Sequence, residues 1–141
     1  MQLIIFISLS DLIGSVGISV GLQYNGTTLC AFQSVTTTIF YAASWLWITA
    51  FAYQLYSLIT TGTSRFKMWH LHVMIWGTCT VLFLLPLSTN PIGDIDDDSP
   101  AWCFYGGNPD LAFMWFIITE LFVLFCCFAA TIAMWILLLR H

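Results

Sequence analysis

The chain has almost no cations. Three Lys and Arg stand among 141 residues, and charged residues of both signs make up 7%, where a soluble domain carries about 25%. A soluble fold of this size needs a polar skin, and this composition cannot make one. Three cations build no basic patch, so nucleic acid is not an expected partner. Zinc-ligand spacing is also lacking, because the vicinal Cys126 and Cys127 have no second pair. A membrane haem protein would want His pairs at both depths, and His70 and His72 lie at one end of one span. Ser, His and acid do not occur at matching depths, so the sequence gives no basis for an enzyme, a cofactor or a metal.

What is abundant is apolar sequence. Hydrophobic residues make up 60%, and the mean hydropathy is +0.90. A membrane helix needs roughly 20 mostly apolar residues. Four stretches meet this, at about residues 3–22, 30–59, 70–87 and 111–139. In lipid they must be helices or strands of a closed barrel, because every backbone polar group needs a partner. The run LFVLFCCFAATIAMWILLL does not alternate as a barrel strand would. The expected fold is all-α: a transmembrane helix bundle of four spans in one domain, with lipid as its surroundings. The fourth span would be roughly 43 Å long at 1.5 Å per residue, so it should tilt or project into water. The first span has no Lys or Arg before it, and Asp11 interrupts it. It reads as a retained helix and not as a signal peptide.

Orientation follows from the cations. Arg65 and Lys67 lie between spans two and three, and Arg140 follows span four. Lys and Arg stay in the cytoplasm, so both termini and the 60–69 connection are expected there. The 23–29 connection and the acidic 88–110 loop would face outward. Asn25-Gly26-Thr27, a glycosylation sequon, falls on that outer side and makes Asn25 a glycosylation candidate. The acidic run lacks the spacing of a calcium loop, and reads as a solvated outer loop. Cys30 and Cys103 are the two cysteines outside the membrane-embedded set, in a compartment that favours disulfides. A bond between them is expected, with two free thiols as the alternative. Cys79, Cys126 and Cys127 read as small apolar packing residues.

Polar groups inside the spans are costly and therefore informative. Asp11 lies midway along span one, and Glu120 about nine residues into span four. An acid at that depth is expected to face the bundle interior. It is satisfied by protonation with a hydroxyl neighbour, by a held cation or water, or by a helix outside these four. Span two carries Gln33, Thr37, Tyr41 and Ser44 at helical spacing, on one face of its Cys30 half. Such a stripe lines a pocket open to the outside or makes ordinary interhelical hydrogen bonds. Gly14, Gly17, Gly21 and Gly77 are expected helix-contact positions. Trp45, Trp47, Trp76, Trp115 and Trp135 are expected packing or interface anchors.

These segments together resemble the cyclic-AMP-receptor-like and secretin-like seven-helix receptors. LSDLIGSVG, with Asp11, is similar to their second helix, and CAFQSVTTTIFYAASWLWITAFAYQLY, opening at Cys30, to their third. Trp76-Gly77 resembles the fourth-helix Trp, and Trp102-Cys103 the second outer loop, whose Cys bonds the top of helix three. The resemblance covers nearly the whole chain, as helices two to five. AYQLYSLIT stands where rhodopsin-like receptors have Asp-Arg-Tyr.

The resemblance implies a plasma-membrane G-protein-coupled receptor, of which this chain would be a part lacking helices one, six and seven and unable to signal alone. It implies a pocket for an extracellular ligand near Gln33 and contact with a heterotrimeric G protein near Arg65 and Lys67. Two other readings stand beside it: a channel or transporter subunit with Asp11 and Glu120 lining an ion path, and a tetraspanning scaffold.

Overall fold

The computed structural model describes residues 2–22, 27–63, 67–89, 92–93, 103–105 and 109–140. Helix α1 spans Gln2–Ser19, α2 Thr28–Thr61 and α3 Met68–Leu87. Strands β1 (Ile92–Gly93) and β2 (Phe104–Tyr105) form a two-residue antiparallel ladder. Then α4 (Pro109–Phe116) runs through a π-helical segment, Ile117–Phe122, into α5 (Val123–Leu139). The fold is all-α, and the short ladder is its only departure among the described residues. Four helical stretches are long and apolar enough to cross a membrane: Gln2–Ser19, Thr28–Thr61, Met68–Leu87 and Phe113–Leu139. The chain is a multi-pass membrane protein.

Local chemistry sets the helix ends. Thr27 caps α2, its hydroxyl accepting the Cys30 N–H at 3.1 Å, which starts the helix two residues before the apolar run. Gly62 ends it in the left-handed conformation, φ 71°, and its N–H reaches the Leu58 carbonyl at 3.0 Å. Pro109 opens α4, where a missing N–H costs nothing.

α2 is the hub, packed against α1, α3 and α5. The buried apolar core joins Leu3 of α1, Ala42, Ala43 and Trp47 of α2, and Leu71, Ile75 and Cys79 of α3. Trp47 is fully buried, with the Phe6 ring stacked at 5.1 Å and the His72 ring edge-on at 4.8 Å. Beyond this core every long helix turns large apolar side chains outward, among them Leu12, Phe51, Val73 and Phe125. In water such a surface would aggregate; in a bilayer it is the lipid face.

Helix α1 meets α2 through small residues. Ser10, Gly14 and Gly17 are buried, and a Cβ on Gly14 would lie 3.3 Å from the Tyr41 ring. A Cβ on Gly17 would collide with the Thr36 hydroxyl and stand 3.2 Å from Thr37 Cγ2. Two expected contact glycines behave differently. Gly77 has nothing within 4 Å of an added Cβ, and neither has Gly21, which serves the turn after α1 at φ 77°. Cys79 and Cys127 are buried as expected, but Cys126 is exposed on the outer face of α5.

Candidate functional site

A cavity of about 260 Å³ lies between α1, α2 and the α4–α5 rod, in the half of the bundle nearer Cys30. Ile18, Gln33, Thr37, Tyr41, Trp45, Phe116, Glu120 and Leu121 line it. The α2 contribution is an unbroken row of every fourth residue, from Gln33 to Trp45, which one helical face presents. That row corrects the expected stripe. Ser44 is buried elsewhere in the packing, because the step from Tyr41 that stays on this face is four residues and not three. Trp45 takes the expected place of Ser44.

Gln33 lines the cavity, yet both ends of its carboxamide are engaged. Its Nε2 donates to the Gly21 carbonyl at 2.9 Å and the Gly17 carbonyl at 3.4 Å. Its Oε1 accepts the Cys103 N–H at 3.0 Å. The Thr37 hydroxyl donates to the Gln33 carbonyl at 2.7 Å. These two side chains therefore brace the wall. Gln33 ties α2 to the end of α1 and to Cys103, which in turn is disulfide-bonded to Cys30 across a Cα–Cα distance of 5.2 Å. The brace and the bond converge beside the cavity.

Glu120 sits in the π-helical segment with Thr119, and both are buried. Thr119 satisfies its hydroxyl on the Trp115 carbonyl at 2.8 Å. Glu120 is 7% exposed, and its Oε1 has no hydrogen-bond partner among the described residues. The π turn brings two consecutive residues inward, and such turns occur frequently at functional sites. Glu120 thus faces the interior as expected.

Asp11 does not. It is exposed on α1, one residue past the buried Ser10. The reason is steric: α1 gives its small-residue edge to α2, and that leaves Asp11 about 100° round the helix from Ser10. Asp11 therefore joins no polar network with Glu120, and it lines none of the cavities described here.

Lys67 is exposed at the start of α3 and makes no side-chain cap. Asn25, Arg65 and the Asp94–Asp98 stretch lie outside the described residues. Trp45, Phe116, Leu121 and Ile18 were not among the expected site residues; the four-residue step from Tyr41 to Trp45 was the signal available for the first.

A second cavity of about 330 Å³ lies between α2, α3 and α5 in the other half of the bundle. Leu46, Ala50, Leu71, Met74, Ile75 and Met134 make most of its wall, with Thr49, Tyr53 and Thr78 as polar members. The described residues contain no group of three or more His, Cys, Asp or Glu able to hold a metal ion.

No protein-family model, no curated protein and no solved structure matches the chain.

Proposed function

We propose that the chain is part of a seven-helix G-protein-coupled receptor that relays an extracellular ligand to a cytoplasmic G protein. The observation that carries this reading is the bonded Cys30–Cys103 pair held by Gln33 beside a cavity lined by a buried acid, one of whose oxygens has no hydrogen-bond partner among the described residues. A tether from a loop to the head of a central helix fixes a pocket roof while leaving the far ends of the helices free to move. α2 touches the other three rods, so a ligand that prefers one arrangement of the cavity shifts the population of all four. In this reading the Cys30 end faces out of the plasma membrane, with Asn25 a glycosylation candidate there. Arg65, Lys67 and both termini face the cytoplasm, in keeping with the distribution of Lys and Arg, and the Arg65–Lys67 connection meets the G protein.

A channel needs its polar groups along one path. Asp11 on an outer face and Glu120 in a cavity do not supply one, which favours the receptor reading over the ion-path reading.

The test begins with the transcript. One membrane span encoded before Met1 and two after His141, together with ligand-stimulated nucleotide exchange on a G protein by the complete product, are the expected results. A transcript with no further spans overturns the reading. So does ion flux through the reconstituted chain that Asp11→Asn and Glu120→Gln abolish. An impermeant reagent that labels a tag beside Lys67 on intact cells would invert the topology and overturn it as well.

A further inference from the structure

We infer that the cavity beside Glu120 is a binding site for a soluble organic ammonium, with the Glu120 carboxylate as its counter-ion. The inference rests on the receptor reading, for which it names the ligand class.

Glu120 is an acid in the middle of a membrane rod, 7% exposed, with one carboxylate oxygen unpartnered among the described residues. A buried carboxylate is held by a cation or by hydrogen-bond donors. Among the described residues no Lys or Arg lines its cavity. Arg65 and Lys67 lie in the connection at the far end of α2, and Arg140 is twenty residues on from Glu120, roughly 30 Å along a helix. Gln33 is committed to Gly17, Gly21 and Cys103, and Thr37 to the Gln33 carbonyl, while the Tyr41 hydroxyl and the Trp45 indole N–H line the same cavity as neutral donors. Neutral donors bring no positive charge, so an ionised Glu120 takes its counter-charge from outside the described residues.

The walls select its kind. Tyr41, Trp45 and Phe116 present three aromatic side chains around the acid, and aromatic faces attract organic cations. A hard metal ion needs six or so oxygens, and the lining offers one carboxylate. An amine with an apolar body matches both features: Glu120 meets the ammonium by a turn of its carboxylate toward the cavity, and the body fills the aromatic and aliphatic remainder. The volume of about 260 Å³ limits the ligand to a small molecule.

The test is a calorimetric titration of the chain in dodecyl maltoside micelles, which carry no ammonium, with phenethylammonium, alongside the uncharged 2-phenylethanol. Phenethylammonium should bind, and 2-phenylethanol should bind about 30-fold more weakly or not at all, since a desolvated charge pair of this kind is worth at least that ratio. Glu120→Gln should lower ammonium affinity about 30-fold while leaving the Cys30–Cys103 bond and the melting midpoint in place. Glu120→Asp should retain part of the affinity. Equal binding of the alcohol, undiminished ammonium binding by Glu120→Gln, or no ammonium binding at all overturns the inference. The comparison of the two probes on the unaltered chain depends on no variant folding. Repeating the titration with phosphatidylethanolamine or phosphatidylcholine added to the micelles distinguishes the source of the ammonium. Unchanged binding supports a soluble ligand, and competition would give the site to a lipid headgroup and overturn the proposal. Because binding is read directly, its failure stands apart from a failure of nucleotide exchange, which would count against the receptor reading itself.

Discussion

The side chain of Gln33 accepts the backbone N–H of Cys103 at 3.0 Å across 70 residues of sequence. Cys103 is already bonded to Cys30, one helical turn before Gln33 on α2. The loop strand is thus held twice at the head of one helix, once by sulfur and once by an amide. The same amide reaches back to Gly21 and Gly17, so a single buried side chain joins α1, α2 and the β ladder region. The junction fixes where the cavity begins.

Gln33→Leu should destabilise the bundle without breaking the disulfide. The apolar replacement leaves the Cys103 N–H and the Gly21 carbonyl without this partner, and a buried polar group so orphaned costs about 1–3 kcal/mol. The melting midpoint in detergent should fall, while mass spectrometry after thiol alkylation still shows Cys30 and Cys103 joined. An unchanged midpoint would mean that water replaces the brace at no cost.

Cys30→Ser and Cys103→Ser should each lower stability, by about 2–4 kcal/mol for a closed loop of this length. The double variant should be no worse than either single one, because both remove the same bond. Comparing the three denaturation midpoints tests this. Additive losses would show that each sulfur contributes by separate packing.

How far these features can be read from residues alone differs by kind. The spans are legible because length and apolar content decide membrane insertion. The Cys30–Cys103 bond is legible because the other three cysteines fall well inside the spans. Which face a helix turns inward is much harder. In water a buried face is apolar and an outer one polar, but here Leu12 and Phe125 face outward and Leu71 and Ile75 inward with equal hydrophobicity. Asp11 is exposed for this reason: a polar residue alone does not define the interior of a bundle, and Ser44, which is buried, shows that an interior position need not line the cavity. Small residues mark contact better, as Gly14 and Gly17 do, yet Gly77 shows that a glycine can also face open space. The π turn around Glu120 had no residue signature, since it rests on a shift in backbone hydrogen bonding.

Gly17→Ala and Gly77→Ala should therefore diverge. A methyl on Gly17 meets Thr36 and Thr37 of the neighbouring helix, and overpacking of this sort costs about 1–3 kcal/mol. A methyl on Gly77 meets nothing and Ala is the better helix former, so this variant should be neutral or more stable by up to about 1 kcal/mol. Parallel thermal melts of the two variants decide the matter. If both were neutral, α1 would be free to slide away from α2, and the close approach at Gly17 would not be holding the pair together.

Trp47 offers the sharpest separation of packing from hydrogen bonding. Its ring is fully buried between Phe6 and His72, but its indole N–H has no acceptor among the described residues. Replacing the ring by Phe keeps an aromatic surface and removes a donor with no described partner. The loss should then be that of the small cavity the shorter ring leaves, about 1–2 kcal/mol. Trp47→Ala removes the ring that joins α1, α2 and α3, and should cost about 3–5 kcal/mol. Denaturation of the two variants in one detergent gives the ratio directly. A Phe variant as damaged as the Ala variant would show that the indole nitrogen has a partner after all, a buried water or a carbonyl reached by a small rotation, and that the centre of the bundle is held by polarity as well as by packing.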